Sequence, residues 1–328
     1  MARPMAIAEV RGEPAIFAPS PRWVASFFTS TFTPHPMSRA VDVSTTHVFG
    51  DEALSPVEGR VERVIEVEAG PGPFSRSDFA IVVRLGGGLW AKLLHVEPRV
   101  RVNERVSVGD PIGRYLRSNF LLEKNLPHVH VEVSRSPKLR PGLSLSIEPS
   151  RELVECLKSA TVIPGNYARF RVAAVGDSYT LLEPVEAKAL AIGGFASGVR
   201  VAINGEIGFG HPYVGLIHLG SKPKPNSLVK AFGQPLGYVR RVGRRHSIAI
   251  NSLESFEKWL QVVSSLANMG RQPRHPNPRF SPTPLCRGES TTLELLVGTM
   301  AIAKLGLREE GSYVEITFSP HPQPQATP

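Results

Sequence analysis

The chain has 328 residues, 41% of them hydrophobic and 20% charged, with a formal net charge of +9. These are globular values over a length that suits two ordinary domains or one large one, and they exclude an intrinsically disordered chain. The only cysteines are Cys156 and Cys286, which excludes a disulfide scaffold and a cysteine-ligated zinc finger.

Residues 1–28 carry Arg3, Glu9, Arg11 and Glu13 and no clean apolar stretch. No secretory signal is expected there, and the cytoplasm is the default location. No apolar run reaches the ~18 residues of a membrane helix. From Ala53 to Val133 the text reads as short strands: the alternating Gly59–Val67, the β-branched Phe79–Leu85 ended by Gly86-Gly87-Gly88, then Leu89–Val96, Arg105–Val108 and His128–Val133. Turn residues separate the runs, so the expected class is mainly β with antiparallel sheets. Residues 1–150 form one expected domain, 151–250 a second β-rich domain, and 251–328 a helical and Pro-rich extension. Asn251-Ser252-Leu253-Glu254 opens an expected helix, continued by Phe256, Trp259, Leu260, Val263 and Leu266 at helical spacing towards residue 269. Gln272–Leu285 holds Pro273, Pro276, Pro278, Pro282 and Pro284 and reads as a linker. A second helix is expected over Thr291–Leu305, a strand over Ser312–Phe318, and a disordered tail over His321–Pro328.

The chemistry concentrates in the first domain. Pro127-His128-Val129-His130-Val131-Glu132 places two imidazoles on one face of a strand, because residues two apart point the same way. The plain alternative is an exposed pair on a solvated strand. His35 and Asp42 flank a tight segment entering another strand; with His130 they supply three zinc ligands and leave a fourth position for water. Glu132 shares the histidine face and offers an acceptor for a ligand N–H. No H-E-x-x-H helix is present. The basic run Arg240, Arg241, Arg244 and Arg245 reads as a solvated face or a docking strip for anions; it lacks interleaved aromatics, so a nucleic-acid partner is not expected.

Taken in order, His35…Asp42, Ser55-Pro-Val-Glu-Gly-Arg-Val61, a strand ending in Leu94-His95, Val102-Asn-Glu-Arg-Val106-Ser-Val-Gly109-Asp-Pro-Ile112-Gly113, and Pro127-His-Val-His-Val-Glu-Val133 resemble the zinc endopeptidases of the lysostaphin/LytM type over about residues 30–135. The resemblance implies an antiparallel β domain, Zn²⁺ held by His35, Asp42 and His130, and His95 and His128 as the catalytic pair. It also implies a peptide or peptide-crosslinked polymer as substrate. Six residues separate His35 from Asp42 where the family has three, a gap similar to that of D-Ala-D-Ala peptidase and hedgehog-type sites; His47 is the alternative ligand. Leu93 stands where the family commonly has an aromatic residue.

The second half echoes the first. Ile217-His218-Leu219 and the turn Gly233-Gln-Pro-Leu-Gly237 follow Leu94-His95-Val96 and Gly109-Asp-Pro-Ile-Gly113, Glu183-Pro-Val-Glu186 follows Ser55-Pro-Val-Glu58, and His246-Ser-Ile-Ala249 follows His128-Val-His-Val131. This reads as a degenerate repeat without metal, with Ile248 at the ligand position. Two functions follow: a zinc-dependent endopeptidase or amidase, or a non-catalytic LytM-like binding or scaffolding protein with a residual metal site. Metal content separates them.

Overall fold

Gly59–Glu68 turns Val61 inward while Arg60, Arg63, Glu66 and Glu68 stay exposed, the alternation of a strand with one covered face. Ser77–Gly86 instead buries Ala80, Ile81, Val82 and Val83 in succession, as a strand covered on both faces must. In the computed structural model the described residues are 3–27, 34–121, 125–140, 142–163, 167–175, 180–185, 191–204, 213–231, 234–251, 260–261, 282–287, 292–295 and 313–318. The chain divides into two compact units, Met1–Leu157 with Cys286–Glu289, and Lys158–Leu285 with Ser290–Pro328.

The first unit contains β1 (Ala6–Val10), β2 (Glu13–Phe17), β3 (Val24–Ser26), β4 (Ala40–Ser44), β5 (Glu52–Leu54), β6 (Gly59–Glu68), β7 (Ser77–Gly86), β8 (Leu89–Leu94), β9 (Val96–Pro98), β10 (Arg105–Val106), β11 (Pro111–Tyr115), β12 (Val129–Ser134) and β13 (Ile147–Pro149). Its main sheet runs β10-β6-β7-β8-β12-β4-β3, and two small sheets run β13-β1-β2 and β5-β11-β9. All these pairings are antiparallel. The centre of the main sheet is fixed by two registers. β12 sets Val131 beside Leu93 of β8, and β8 sets Leu93 beside Ile81 of β7. All three side chains are fully buried, so a slip of one residue would turn each out of the core.

Helix α1 (Arg151–Ala160) follows. Ser150 caps it, its Oγ accepting from Leu153 N at 2.9 Å, and Leu153, Val154 and Leu157 form its buried stripe. This helix was not expected at the start of the β-rich 151–250 stretch; its buried stripe is three residues long. The second unit adds β14 (Thr161–Val162), β15 (Tyr167–Val175), β16 (Thr180–Pro184), β17 (Ala191–Ala196), β18 (Val199–Asn204), β19 (Tyr213–His218), β20 (Leu228–Ala231), β21 (Gln234–Val242), β22 (His246–Asn251), β23 (Leu260–Gln261), β24 (Pro282–Arg287), β25 (Thr292–Leu295) and β26 (Tyr313–Phe318). One sheet runs β14-β17-β18-β19-β22-β21-β20, and β25-β16-β15-β26-β23 are neighbours in another.

The mainly antiparallel β class is as expected, and Ser312–Phe318 is the strand β26. The two expected C-terminal helices are corrected where the chain is described. Leu260–Gln261 and Thr292–Leu295 are strands, and the rest of 252–269 and 291–305 lies outside the described residues, as does the tail from His321. Thr-Leu-Glu-Leu fits a period of two as well as a helix, and pairing with β16 and β24 decides for the strand. The expected linker is a strand over Pro282–Arg287. Its two prolines are two residues apart, so both missing N–H groups fall on one side of the strand.

β18, β19 and β22 neighbour one another in the same order and sense as β7, β8 and β12. The register corrects the alignment by two residues: His246 faces Ile217 as His130 faces Leu94, so His246, not Ile248, occupies the ligand row. A shift of two keeps every side chain on its face, which is why the sequence pattern tolerated it. Beyond β22 the two units diverge. β12 is flanked by β4, which brings Asp42, whereas β22 is flanked by its own hairpin partner, where Gly243 N donates to His246 O. The upstream echo at Glu183-Pro-Val-Glu does not carry over, because β16 lies in the other sheet.

Candidate metal and catalytic centre

Three neighbouring strands and one turn build the site. β12 pairs with β4 so that His130 stands directly opposite Asp42, and with β8 so that His130 also stands opposite Leu94, the residue before His95. Cross-strand neighbours bring Cβ atoms to about 5 Å, close enough for side chains to share one centre. His35 arrives on a turn closed by Ser38 N to His35 O at 2.9 Å and Arg39 N to Pro34 O at 2.8 Å. Ser38 takes a left-handed φ of 56° in that turn, and Ile147 N donates to its carbonyl. This turn absorbs the long His35–Asp42 spacing: His35 Nε2 lies 3.3 Å from Asp42 Oδ1.

Asp42 Oδ1 is the hub. His130 Nδ1 lies 2.9 Å from it and His128 Nε2 3.6 Å. The His35 and His130 rings meet edge to face at 4.9 Å, and His95 lies 5.2 Å from His128 and 5.8 Å from His130 between ring centroids. All five residues are buried, none more than 9% exposed. The sequence-derived set of His35, Asp42, His130, His95 and His128 is therefore brought together whole. Two triads have nitrogen or oxygen atoms within 4.8 Å of one another and could hold a metal ion: His35/Asp42/His130 and His95/His128/His130. His47 belongs to neither.

The outer nitrogens of the rings are committed. His35 Nδ1 lies 3.2 Å from Phe27 O and His128 Nδ1 2.7 Å from Leu126 O. A carbonyl only accepts, so both Nδ1 atoms carry a proton, and the Nε2 atoms of both rings face Asp42 Oδ1. Commitment of the second ring nitrogen to a carbonyl or carboxylate is also how metal-binding imidazoles are oriented. His130 Nε2 lies 3.4 Å from Glu132 Oε1, while Ser144 Oγ donates to Glu132 Oε2 and Lys92 Nζ sits 3.9 Å from it.

These contacts set the protonation of the metal-free centre. Burial works to raise the Asp42 carboxyl, but the imidazoles of His128, His35 and His130 hold it well below the usual carboxylate range. Burial lowers His128 to about 4, against the pull of Asp42. Burial also opposes charging of His130, yet the bonds to Asp42 and Glu132 raise it to about 10. Glu132 is brought down to about 2, its own burial outweighed by His130, Ser144 and Lys92.

The sequence reading missed Asp78 and Ser118. Asp78 is fully buried beside His95, with Oδ2 2.6 Å from His95 Nδ1, and Ser118 Oγ donates to the same oxygen. The available signal was a lone carboxylate at the start of the otherwise apolar β7. At the rim, Phe120 is 39% exposed with its ring 6.5 Å from His95.

Among the described residues no helix is long and apolar enough to cross a membrane. A family model described as the N-terminal domain of "Domain of unknown function (DUF8155)" matches residues 15–148, the stretch that holds all five site residues. No curated protein matches the chain. Among solved structures the chain is similar to one titled "A Novel M23 Metalloprotease Pseudoalterin from Deep-sea", with a TM-score of 0.26 and 17% identity, over 44% of this chain and 76% of that one.

Proposed function

We propose that the protein is a zinc-dependent hydrolase of peptide amide bonds, with His35, Asp42 and His130 holding one zinc ion and His95 and His128 acting on the substrate. The observation that carries this reading is the convergence on Asp42 Oδ1 of His35 Nε2, His128 Nε2 and His130 Nδ1, all buried. Two imidazoles and a carboxylate suit zinc and leave room for water. Zinc held there supplies Lewis-acid activation, lowering the pKa of a water from about 16 to about 7 and polarising the scissile carbonyl.

The chain's own residues do the rest. His95 and His128 each keep Nε2 available because Nδ1 is engaged elsewhere, by Asp78 and Leu126 O. One of them accepts the proton of the attacking water and returns it to the leaving nitrogen; the other orients that water through its Nε2. Glu132 fixes the ring of His130 through Nε2. The exposed ring of Phe120 gives an extended peptide an apolar wall beside His95.

The test is hydrolysis of a mixed-sequence peptide library by the zinc-loaded chain, followed by mass spectrometry. Cleavage that stops on chelation and returns with zinc is the expected result. His95→Ala and His128→Ala are expected to keep zinc and to lose roughly 10²–10⁴-fold in rate. A zinc-loaded chain that binds peptides without cutting any contradicts the hydrolase and supports a binding or scaffolding role.

A further inference from the structure

We propose that Asp78 is a positioning residue that locks His95 in the tautomer protonated on Nδ1, and thereby makes His95 the proton acceptor of the pair; the second clause rests on the hydrolase reading above. Asp78 is the second residue of β7 and fully buried. Its Oδ1 accepts the backbone N–H of Phe79 at 2.6 Å and of His95 at 3.0 Å. Its Oδ2 accepts His95 Nδ1–H at 2.6 Å and the hydroxyl of Ser118. Four donors therefore saturate one carboxylate. Burial alone would raise this carboxyl, and these donors lower it instead.

The backbone takes part in the device. His95 sits at φ 66°, a left-handed conformation that costs a non-glycine residue about 1 kcal/mol and persists where surrounding contacts require it. Here the contact is the His95 N–H itself, bonded to the same carboxylate as the ring. Main chain and side chain of His95 are both held by Asp78, so the ring has one orientation and one tautomer.

The two histidines are thereby made unequal. His128 leans through Nδ1 on the carbonyl of Leu126, a neutral dipole, and the carboxylate nearest its Nε2, Asp42, is the one proposed to hold the zinc. His95 leans on a carboxylate, which stabilises the imidazolium formed when Nε2 takes a proton. The step balances. The water O–H bond breaks, its proton moves to His95 Nε2, and its oxygen bonds to the carbonyl carbon. The C–N bond then breaks and the nitrogen leaves with the proton from His95, which returns to neutral. One water is consumed per amide cut.

The Oδ1 contacts make a sharp test possible. In Asp78→Asn the side-chain oxygen must stay at the Oδ1 place, where two backbone N–H groups donate. The amide NH₂ then falls opposite His95 Nδ1 and donates to it, so the His95 proton is forced onto Nε2. Two-bond ¹H–¹⁵N correlation spectra of the full chain read this directly. The expected result is a protonated Nδ1 in the wild type, a protonated Nε2 in Asp78→Asn, unchanged zinc content, and a rate lowered by about 10⁴-fold, the scale of a reversed tautomer in a serine-protease triad. Ser118→Ala is expected to keep the wild-type tautomer and to lose less than about tenfold, because one neutral hydrogen bond is removed. A wild-type His95 protonated on Nε2, whatever the variants do, overturns the proposal. So does an Asp78→Asn chain that reverses the tautomer and keeps its rate. A wild type that cuts nothing, yet shows this tautomer and its reversal, supports the positioning role and overturns the hydrolase reading alone.

Discussion

His130 has a carboxylate at each ring nitrogen, Asp42 on Nδ1 and Glu132 on Nε2, and this doubles its role. Without metal it is a buried cation, raised to about 10, lying between two anions. A zinc ion held as proposed would take the place of the proton on Nδ1, so uptake and proton release would be one event. The sign follows. Below pH 10 the proton competes with zinc, so affinity is expected to tighten as pH rises, by up to tenfold per unit. His128, held near 4, is already neutral at pH 7 and adds nothing. Calorimetry at pH 7 in buffers of different ionisation enthalpy is expected to show about one proton released per zinc; none released contradicts this account of His130. At this scale much was legible in the sequence. His128 and His130 announced themselves by spacing, and His35, Asp42 and His95 by order along the chain. Asp78 did not, because its contact with the site is to a main-chain N–H and a ring nitrogen 17 residues away, brought to it by the pairing of β7 with β8 and the left-handed turn at His95.

The elements that hold the site are β4, β8 and β12, and their registers are fixed on the face away from it. Leu93 and Val131 stand opposite each other between fully buried neighbours, while His130 and Glu132 occupy the alternate positions. Leu93→Ala leaves a cavity there and is expected to cost about 2–5 kcal/mol of stability in denaturant unfolding. A cost below about 1 kcal/mol would show that the register is set elsewhere. The strands read between Gly59 and Val133 were legible because their apolar runs are short and punctuated by Gly, Pro and Asn, whereas β1, β2, β3 and β13 were not read as strands. The later elements were not. Leu260 lies in a stripe that suits a helix, and Leu293 and Leu295 suit either period; only pairing with β26, β16 and β24 makes them strands. β26 and β16 are far from these residues in sequence, and propensity gives way to such pairing.

The two units share a three-strand motif and differ in what flanks it. In the first, β4 comes from earlier in the chain and sets a carboxylate against His130. In the second, the hairpin β21–β22 places Gly243 at that point, and His218 Nε2 is engaged with Ser247 Oγ at 2.7 Å. Among the described residues no metal-capable triad arises in the second unit. The sequence marks the second copy as lacking metal on the strength of Ile248; the register puts His246 in that row instead, and what is absent beside it, among the described residues, is a partner strand like β4. Elemental analysis of the full chain after zinc-replete expression and dialysis tests the central claim most directly. About one zinc per chain is expected, retained in His218→Ala and His95→Ala and lost in folded His35→Ala, Asp42→Ala and His130→Ala. A wild-type chain without zinc, or one whose zinc survives loss of Asp42 and departs with His218, contradicts it.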